Sequence, residues 1–248
     1  MAKRGWRIAG RVLKYLGIVL VFSVTGFIIW RMLSSGDPSG MKTIMVNKNT
    51  VAAYDASEDG SLYMFYQGQN DITRGEKNAG YFSVSQVAFI PEAHQLQVVV
   101  RYNNSTLRSV AKDLGLGEVP DRDADVFDVT VAISTDLTPD DDSDNDLSAK
   151  ENPKSVSETR YHPSEMKKDK KNLYNYRKFI FDGIDIDDKL TLAVYLDIRY
   201  AGGGEVNYDE EAIGTLCLYD YASKNRTRDF TRADRDAILS FKKENGEG

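Results

Sequence analysis

The clearest pattern along the chain is an alternation of apolar and polar residues. In residues 95–102, every second residue is apolar or aromatic, and mostly polar residues lie between them. A period of two is typical of a β-strand with one buried and one wetted face. Residues 81–90 are also strand-like, and the turn residues 91–94 separate the two segments. The pattern therefore predicts an antiparallel hairpin.

Other segments of strand character follow along the chain. The strongest alternation lies in residues 126–134 and 189–200, and the weaker candidates are residues 43–54, 62–66, 174–181 and 212–219. About eight such strands, with no long helix between them, favour antiparallel sheets that each have one wet face. We therefore expect a mainly β domain, and more specifically an antiparallel, immunoglobulin-like β-sandwich.

Two segments have the signals of short helices. Residues 105–114 begin with a capping serine, and Gly115 follows as a stop signal. Residues 231–243 begin with Thr231, carry aspartates near the start and lysines near the end, and space their apolar residues on one face. We expect the second segment to be a C-terminal helix that packs on the sheet.

The N-terminal region contains a run of residues without charge, YLGIVLVFSVTGFIIW, at positions 15–30. As a helix it is about 24 Å long, and residues 31–33 extend it to about 28 Å because the arginine stem can lie along lipid. That approaches the hydrocarbon core of about 30 Å. We expect residues 15–33 to be a transmembrane signal anchor. A cleaved signal peptide, ending at the small residues 34–36, and a buried helix of a soluble protein are the alternatives.

The charge distribution predicts the orientation of this anchor. Residues 1–33 contain six basic residues and no acidic one, and five of the six precede the apolar run. The remaining 26 basic residues stand against 38 acidic ones, a net charge of -12 for the rest of the chain. By the positive-inside rule, residues 1–14 are a cytoplasmic tail, residues 34–42 a flexible stalk and residues 43–248 an extracytoplasmic domain of a single-pass membrane protein.

Composition narrows the class of protein. The chain has 248 residues, of which 41% are hydrophobic, and a single cysteine, so its exported domain has no intramolecular disulfide. Because secreted animal domains of this size often carry disulfides, we expect a bacterial cell-surface protein. The acidic balance of the domain argues against nucleic-acid binding.

A long charged segment interrupts the strand pattern at residues 135–173. Residues 121–151 contain eleven acidic residues and two basic ones, whereas residues 154–178 contain eight basic residues and three acidic ones. The two halves can pair with each other. Because this segment has no apolar period, the sequence predicts a long charged loop.

Part of the acidic half resembles a calcium-binding loop. In residues 140–151, oxygen ligands are spaced as in the EF-hand loop, and the candidate metal ligands are Asp140, Asp142, Asp144 and Glu151. Asn145 stands where the loop requires a turn glycine, and prolines flank the segment. A looser surface Ca²⁺ site and a solvated loop without a ligand are therefore both open.

The residue types that most often act in catalysis lie at positions that do not indicate an active site. His94 lies in the predicted hairpin turn, His162 lies in the charged loop, and Cys217 lies in an apolar strand. The chain has no nucleophile-elbow, metal-protease or phosphate-loop motif. We therefore expect no cofactor and a non-catalytic binding or assembly module for an envelope protein or a wall polymer. The alternatives are a cell-wall hydrolase with paired carboxylates and a weak Ca²⁺-dependent adhesion module.

Overall fold

A computed structural model describes the backbone of residues 2–34, 36–62, 64–68, 73–74, 82–136, 156–186, 191–202, 206–208, 212–218, 227–228 and 230–246. The chain divides into two compact units, Met1–Pro38 and Ser39–Gly248.

The first unit contains one helix, α1 (Ala2–Ser34). The side chains of residues 14–30 are all exposed, including those of Phe22 and Trp30. Among the residues that the structure describes, no helix is both long enough and apolar enough to cross a membrane. The transmembrane part of the predicted fold is thus not confirmed.

The second unit is mainly β, with two antiparallel sheets. The six-stranded sheet has the order β11-β1-β3-β4-β8-β7, and the five-stranded sheet has the order β2-β10-β9-β5-β6. The strands are β1 (Met64–Gly68), β2 (Thr73–Arg74), β3 (Ser83–Ile90), β4 (Gln95–Asn103), β5 (Phe127–Asp136), β6 (Val156–Tyr161), β7 (Glu165–Lys171), β8 (Tyr174–Asp182), β9 (Thr191–Tyr200), β10 (Gly214–Cys217) and β11 (Thr227–Arg228). The predicted hairpin is β3 and β4, joined by a short 3-10 helix (Pro91–Ala93).

The main core lies between the inward faces of the two sheets. One cluster of buried side chains includes Val98 and Val100 of β4 together with Val131 of β5 and Leu196 of β9. These are the apolar positions of the alternating pattern, because side chains two residues apart point to the same side of a strand. The predicted two-sheet packing is confirmed, whereas an immunoglobulin-like strand order is not.

The outer face of the six-stranded sheet is covered, which corrects the expectation that it is wet. Three helices belong to this region, α2 (Ser39–Lys42), α3 (Lys48–Ala56) and the C-terminal α5 (Arg232–Glu244). Ile44, Val51 and Ile238 form a second buried cluster with Ile90 at the end of β3. The outward-facing Gln95 and Gln97 of β4 are therefore buried as well.

Two predictions for residues 34–54 were wrong. Residues 39–42 do not belong to a loose stalk, because Met41 is fully buried against Val99 and Tyr176. Residues 48–54 are not a strand but part of α3. The Asn47 side chain accepts the Thr50 amide (3.1 Å) and so caps this helix, a local signal that the apolar pattern does not show.

The two other helices were predicted with bounds that shift by one or two residues. Asn103, and not Ser105, caps the helix that follows β4, which is α4 (Asn104–Asp113). Thr231 caps α5, as expected from the sequence, and the structure adds a reciprocal capping box with Asp234.

The predicted loop at residues 135–173 contains two strands, and its residues 137–155 lie outside the described residues. Its second half forms β6 and β7, which are the outermost strands of the two sheets. Both strands are rich in charge, as is common for edge strands that are protected from pairing with other molecules. The expected pairing of acidic and basic halves is observed here, since Asp123 pairs with Lys170 at 2.5 Å and Asp125 pairs with Lys168.

Candidate functional site

The predicted metal ligands Asp140, Asp142, Asp144 and Glu151 lie outside the described residues. Within the described part of the chain, no group of three or more His, Cys, Asp or Glu side chains is placed to hold a metal ion. The calcium site therefore stays a prediction.

The histidines lie at the surface, as the sequence suggests. His94 is an exposed turn residue with a left-handed backbone (φ 47°), and its carbonyl oxygen accepts the amide of Ile184. His162 is also exposed, and its ring centroid lies 5.3 Å from that of Tyr208. The side chain of Cys217 lies outside the described residues.

The best candidate binding site is a pocket of about 290 Å³ at the point where β4 runs into α4. We call it the Arg101 pocket. Its lining residues are Ser83, Arg101, Tyr102, Asn103, Ser105, Thr106, Ser109 and Tyr174. These described residues combine one cation, one amide, four serine or threonine hydroxyls and two tyrosines, and none of them is acidic.

Strand pairing and helix capping bring these residues together. Ser83 of β3 lies opposite Arg101 of β4, and Tyr174 of β8 lies opposite Asn103. Asn103 ends the strand and at once caps α4, because its side-chain oxygen accepts the amides of Ser105 (2.8 Å) and Thr106 (3.0 Å). The strand therefore passes directly into the helix, so the hydroxyls of the first helical turns lie beside the arginine.

The guanidinium group of Arg101 is the unusual feature of this pocket. Its central carbon lies 5.1 Å from the centroid of the Tyr174 ring, a cation-π arrangement. The Nε atom is buried and has no hydrogen-bond partner, although the arginine side chain as a whole is only partly buried. In the described chain, Arg101 makes no ion pair with a carboxylate. Among the described residues, no neighbouring acid balances the charge of this cation.

A second polar cluster lies on the five-stranded sheet around Tyr208. The guanidinium carbons of Arg160 and Arg199 each lie 5.5 Å from the Tyr208 ring centroid. Asp197 lies 3.8 Å from the first arginine and 3.5 Å from the second, and the Tyr208 hydroxyl donates to Asp128 (2.9 Å). Partial burial and this hydrogen bond raise the pKa of Tyr208. Because the arginines already have an acidic partner, this cluster has the character of a structural network.

A third polar network, around Asp182 at the end of β8, joins α3 to the six-stranded sheet. Burial alone would raise the pKa of the Asp182 carboxyl, but hydrogen bonds from neutral side chains outweigh that effect and lower it. The donors are Gln95, Ser164, Asn47 and Asn49. Gln95 and Asn47 also bond to each other (3.1 Å). Because these side chains form hydrogen bonds with one another, few of their polar groups are available to a ligand.

Sequence reasoning missed the Arg101 pocket. Arg101 was one polar residue in an alternating strand, and the pocket has no motif in which its residues are neighbours. The only local signal is the run Asn103-Asn104-Ser105-Thr106, which marks a capped helix directly after a strand. No protein-family model, no curated protein and no solved structure matches this chain.

Proposed function

We propose that the chain is a single-pass membrane protein whose exported, immunoglobulin-like domain is a non-catalytic binding module for a bacterial wall polymer. The observation that carries the binding function is the Arg101 pocket. It offers a cation, an aromatic ring and several hydroxyl groups, which is the type of surface that holds a polar, hydroxylated ligand. An envelope protein is the alternative partner, and the small, polar pocket favours the polymer.

The lining of the pocket supports binding over catalysis. Among the described lining residues, no histidine or carboxylate accompanies the serines to act as a general base. The neighbouring carboxylates Asp123 and Asp125 form ion pairs with basic side chains. This disfavours them as the paired acids of a hydrolase.

The membrane anchor is supported by α1. Its residues 15–30 carry no charge, and their side chains are exposed. An apolar surface of this extent is stable in lipid or against another protein. Because the run is about 24 Å long, the proposed span also needs residues 31–33 to approach the thickness of a bilayer. The basic residues before the run favour a cytoplasmic N-terminus.

Protease treatment of intact cells tests the topology. With the wall removed, added protease should digest the exported domain and leave the basic tail at residues 1–14 uncut. The N-terminus of the mature protein should be retained. Protection of the domain would overturn the proposed orientation, and a mature chain that starts at Asp37 would show a cleaved signal peptide.

Sedimentation with insoluble cell wall tests the binding function. The purified full-length protein in detergent should sediment with wall material and be recovered intact with the wall undigested. Crosslinking in cells serves as the second measurement. Crosslinks to a protein, without wall sedimentation, would favour the envelope-protein alternative, and release of soluble wall fragments would favour a hydrolase.

A further inference from the structure

We infer that the Arg101 pocket binds an anionic group, a carboxylate or a phosphate, carried by a hydroxylated polymer. The inference rests on the proposed function, because it names the ligand class of the same site. The charge of the pocket indicates the class of ligand. Of the lining residues that the structure describes, Arg101 is the only charged one, so the pocket favours a ligand of negative charge.

The lack of a carboxylate partner in the described chain distinguishes Arg101 from Arg177, Arg160 and Arg199. Arg177 pairs with Asp125 at 3.4 Å, and Arg160 and Arg199 share Asp197. A guanidinium group that loses water without gaining an acceptor destabilises the unbound protein. An anion in the pocket would supply the acceptors that are missing and would offset that cost. Arginine suits this role because its planar donors match carboxylate and phosphate oxygens.

The backbone amides at the start of the helix beside the pocket do not supply the binding groups. Amides at the first turn of a helix often bind anions, but those of Ser105 and Thr106 already donate to Asn103. The recognition therefore falls to Arg101 and to the hydroxyl groups of Ser83, Ser105 and Ser109. Hydroxyl groups can donate to an anion and can also accept from the hydroxyls of a sugar.

Tyr174 lines another side of the pocket. Its ring favours a ligand in which a sugar ring lies next to the anionic group. Its side chain is 37% exposed, so one part of the ring stacks with Arg101 and another part is open to solvent. The volume of about 290 Å³ is at the lower limit of small-molecule sites, which run from about 300 to 1,000 Å³. The pocket thus has room for one charged unit of a polymer, and the rest of the polymer would lie outside it.

Titration with small probes tests the ligand class. The full-length protein in lipid nanodiscs is titrated with N-acetylmuramic acid, with glycerol 3-phosphate and with neutral N-acetylglucosamine. We expect at least one anionic probe to bind at least tenfold more tightly than the neutral sugar, and added salt to weaken it. The probe that binds more tightly identifies carboxylate or phosphate as the source. Equal affinity for the neutral and anionic probes would overturn the inference.

Variants locate the site. Arg101→Gln should reduce the affinity for the anionic probe at least tenfold, whereas Arg108→Gln, an exposed arginine of α4 outside the lining, should leave it unchanged. A loss that is equal in the two variants, or absent from both, would contradict the assignment. If Arg101→Gln does not fold, the guanidinium resonances of Arg101 in the unmodified protein must shift on titration, and unshifted resonances would exclude the site.

Wall sedimentation separates this inference from the proposed function. If the unmodified protein and Arg101→Gln sediment equally with wall, the binding function stands and the pocket is the wrong site. If the anionic probes bind at Arg101 but the protein does not sediment with wall, the pocket is confirmed and the wall polymer is the wrong partner.

Discussion

The carboxylate of Asp234, in the first turn of α5, accepts a hydrogen bond from the backbone amide of Ile44, 190 residues earlier (2.9 Å). Its second oxygen accepts from the amide (3.0 Å) and the hydroxyl (2.6 Å) of Thr231. The Asp234 side chain is fully buried. One aspartate therefore completes the capping box of the last helix and also holds the segment that leads into α3.

Replacement of Asp234 by alanine should destabilise the protein by about 2 to 4 kcal/mol. The change leaves the buried amide of Ile44 without an acceptor, at about 1 to 3 kcal/mol, and removes the reciprocal half of the capping box at Thr231, at about 1 kcal/mol. Urea denaturation of the full-length protein measures the loss. Hydrogen exchange at the Ile44 amide should accelerate in the same variant.

Asp236→Ala is the matched control on the same helix. Asp236 is exposed, and its contact with Arg232 is long, at 3.8 Å. Exposed ion pairs of this kind contribute little, so the variant should lose less than about 0.5 kcal/mol. Equal losses in the Asp234 and Asp236 variants would show that the contact with Ile44 adds no stability.

The Asp182 network predicts a loss of stability in acid. The pKa of Asp182 is lower in the folded protein than the value of about 3.9 in an unfolded chain. The stabilising contribution of this carboxylate is therefore present above about pH 4 and is lost as the pH falls through the folded pKa. Asp182→Asn should be less stable at pH 7 and should show a shallower loss of stability between pH 4 and pH 2. Urea melts at a series of pH values measure both effects.

Asp185→Asn serves as the control for acid sensitivity. Asp185 is an exposed carboxylate three residues further along the chain. Its variant should keep the acid slope of the unmodified protein. An Asp182→Asn variant with that same unchanged slope would rule out the hydrogen-bonded carboxylate as the cause.

The β character of the domain could be predicted because its inward faces repeat with a period of two. The same pattern could not show that the outer face of β4 is covered. Gln97 has the sequence position of a wet residue, yet it is buried and exchanges two hydrogen bonds with the backbone of Met45 (2.9 and 2.7 Å). A buried polar residue with satisfied bonds is indistinguishable from an exposed one in an alternating pattern.

The edge strand β7 and the Arg101 pocket could not be predicted from the sequence, each for a different reason. β7 has four lysines in seven residues, so it has no apolar side from which a period can be read. The Arg101 pocket depends on the pairing of β4 with β8, which places Tyr174 opposite Asn103. Strand register across that distance in sequence is set by tertiary packing, so the pocket could be recognised only in the folded chain.

The acidic segment 140–151 gives a prediction that the sequence alone supports. Asn145 replaces the turn glycine of a calcium loop, and Pro139 and Pro153 flank the segment, so the loop is poorly organised for Ca²⁺ in advance. We expect equal melting temperatures in Ca²⁺, in Mg²⁺ and in chelator at matched ionic strength. A Ca²⁺-specific rise, which corresponds to about 1.4 kcal/mol at ten times Kd, would instead favour a site at Asp140, Asp142, Asp144 and Glu151.

The turn after β9 requires glycine at position 202, and this requirement can be measured. Gly202 has a left-handed backbone (φ 52°), and a Cβ atom there would lie 2.6 Å from Cε1 of Tyr200. Gly202→Ala should therefore destabilise the folded protein by about 1 to 3 kcal/mol, from backbone strain and from displacement of the tyrosine ring.

Gly117→Ala is the control, because Gly117 has no positive φ and has open space around its Cβ position. That variant should be neutral or up to about 1 kcal/mol more stable. Urea denaturation compares the two variants, and an equal change in both would mean that the Tyr200 ring and the backbone at position 202 tolerate a side chain.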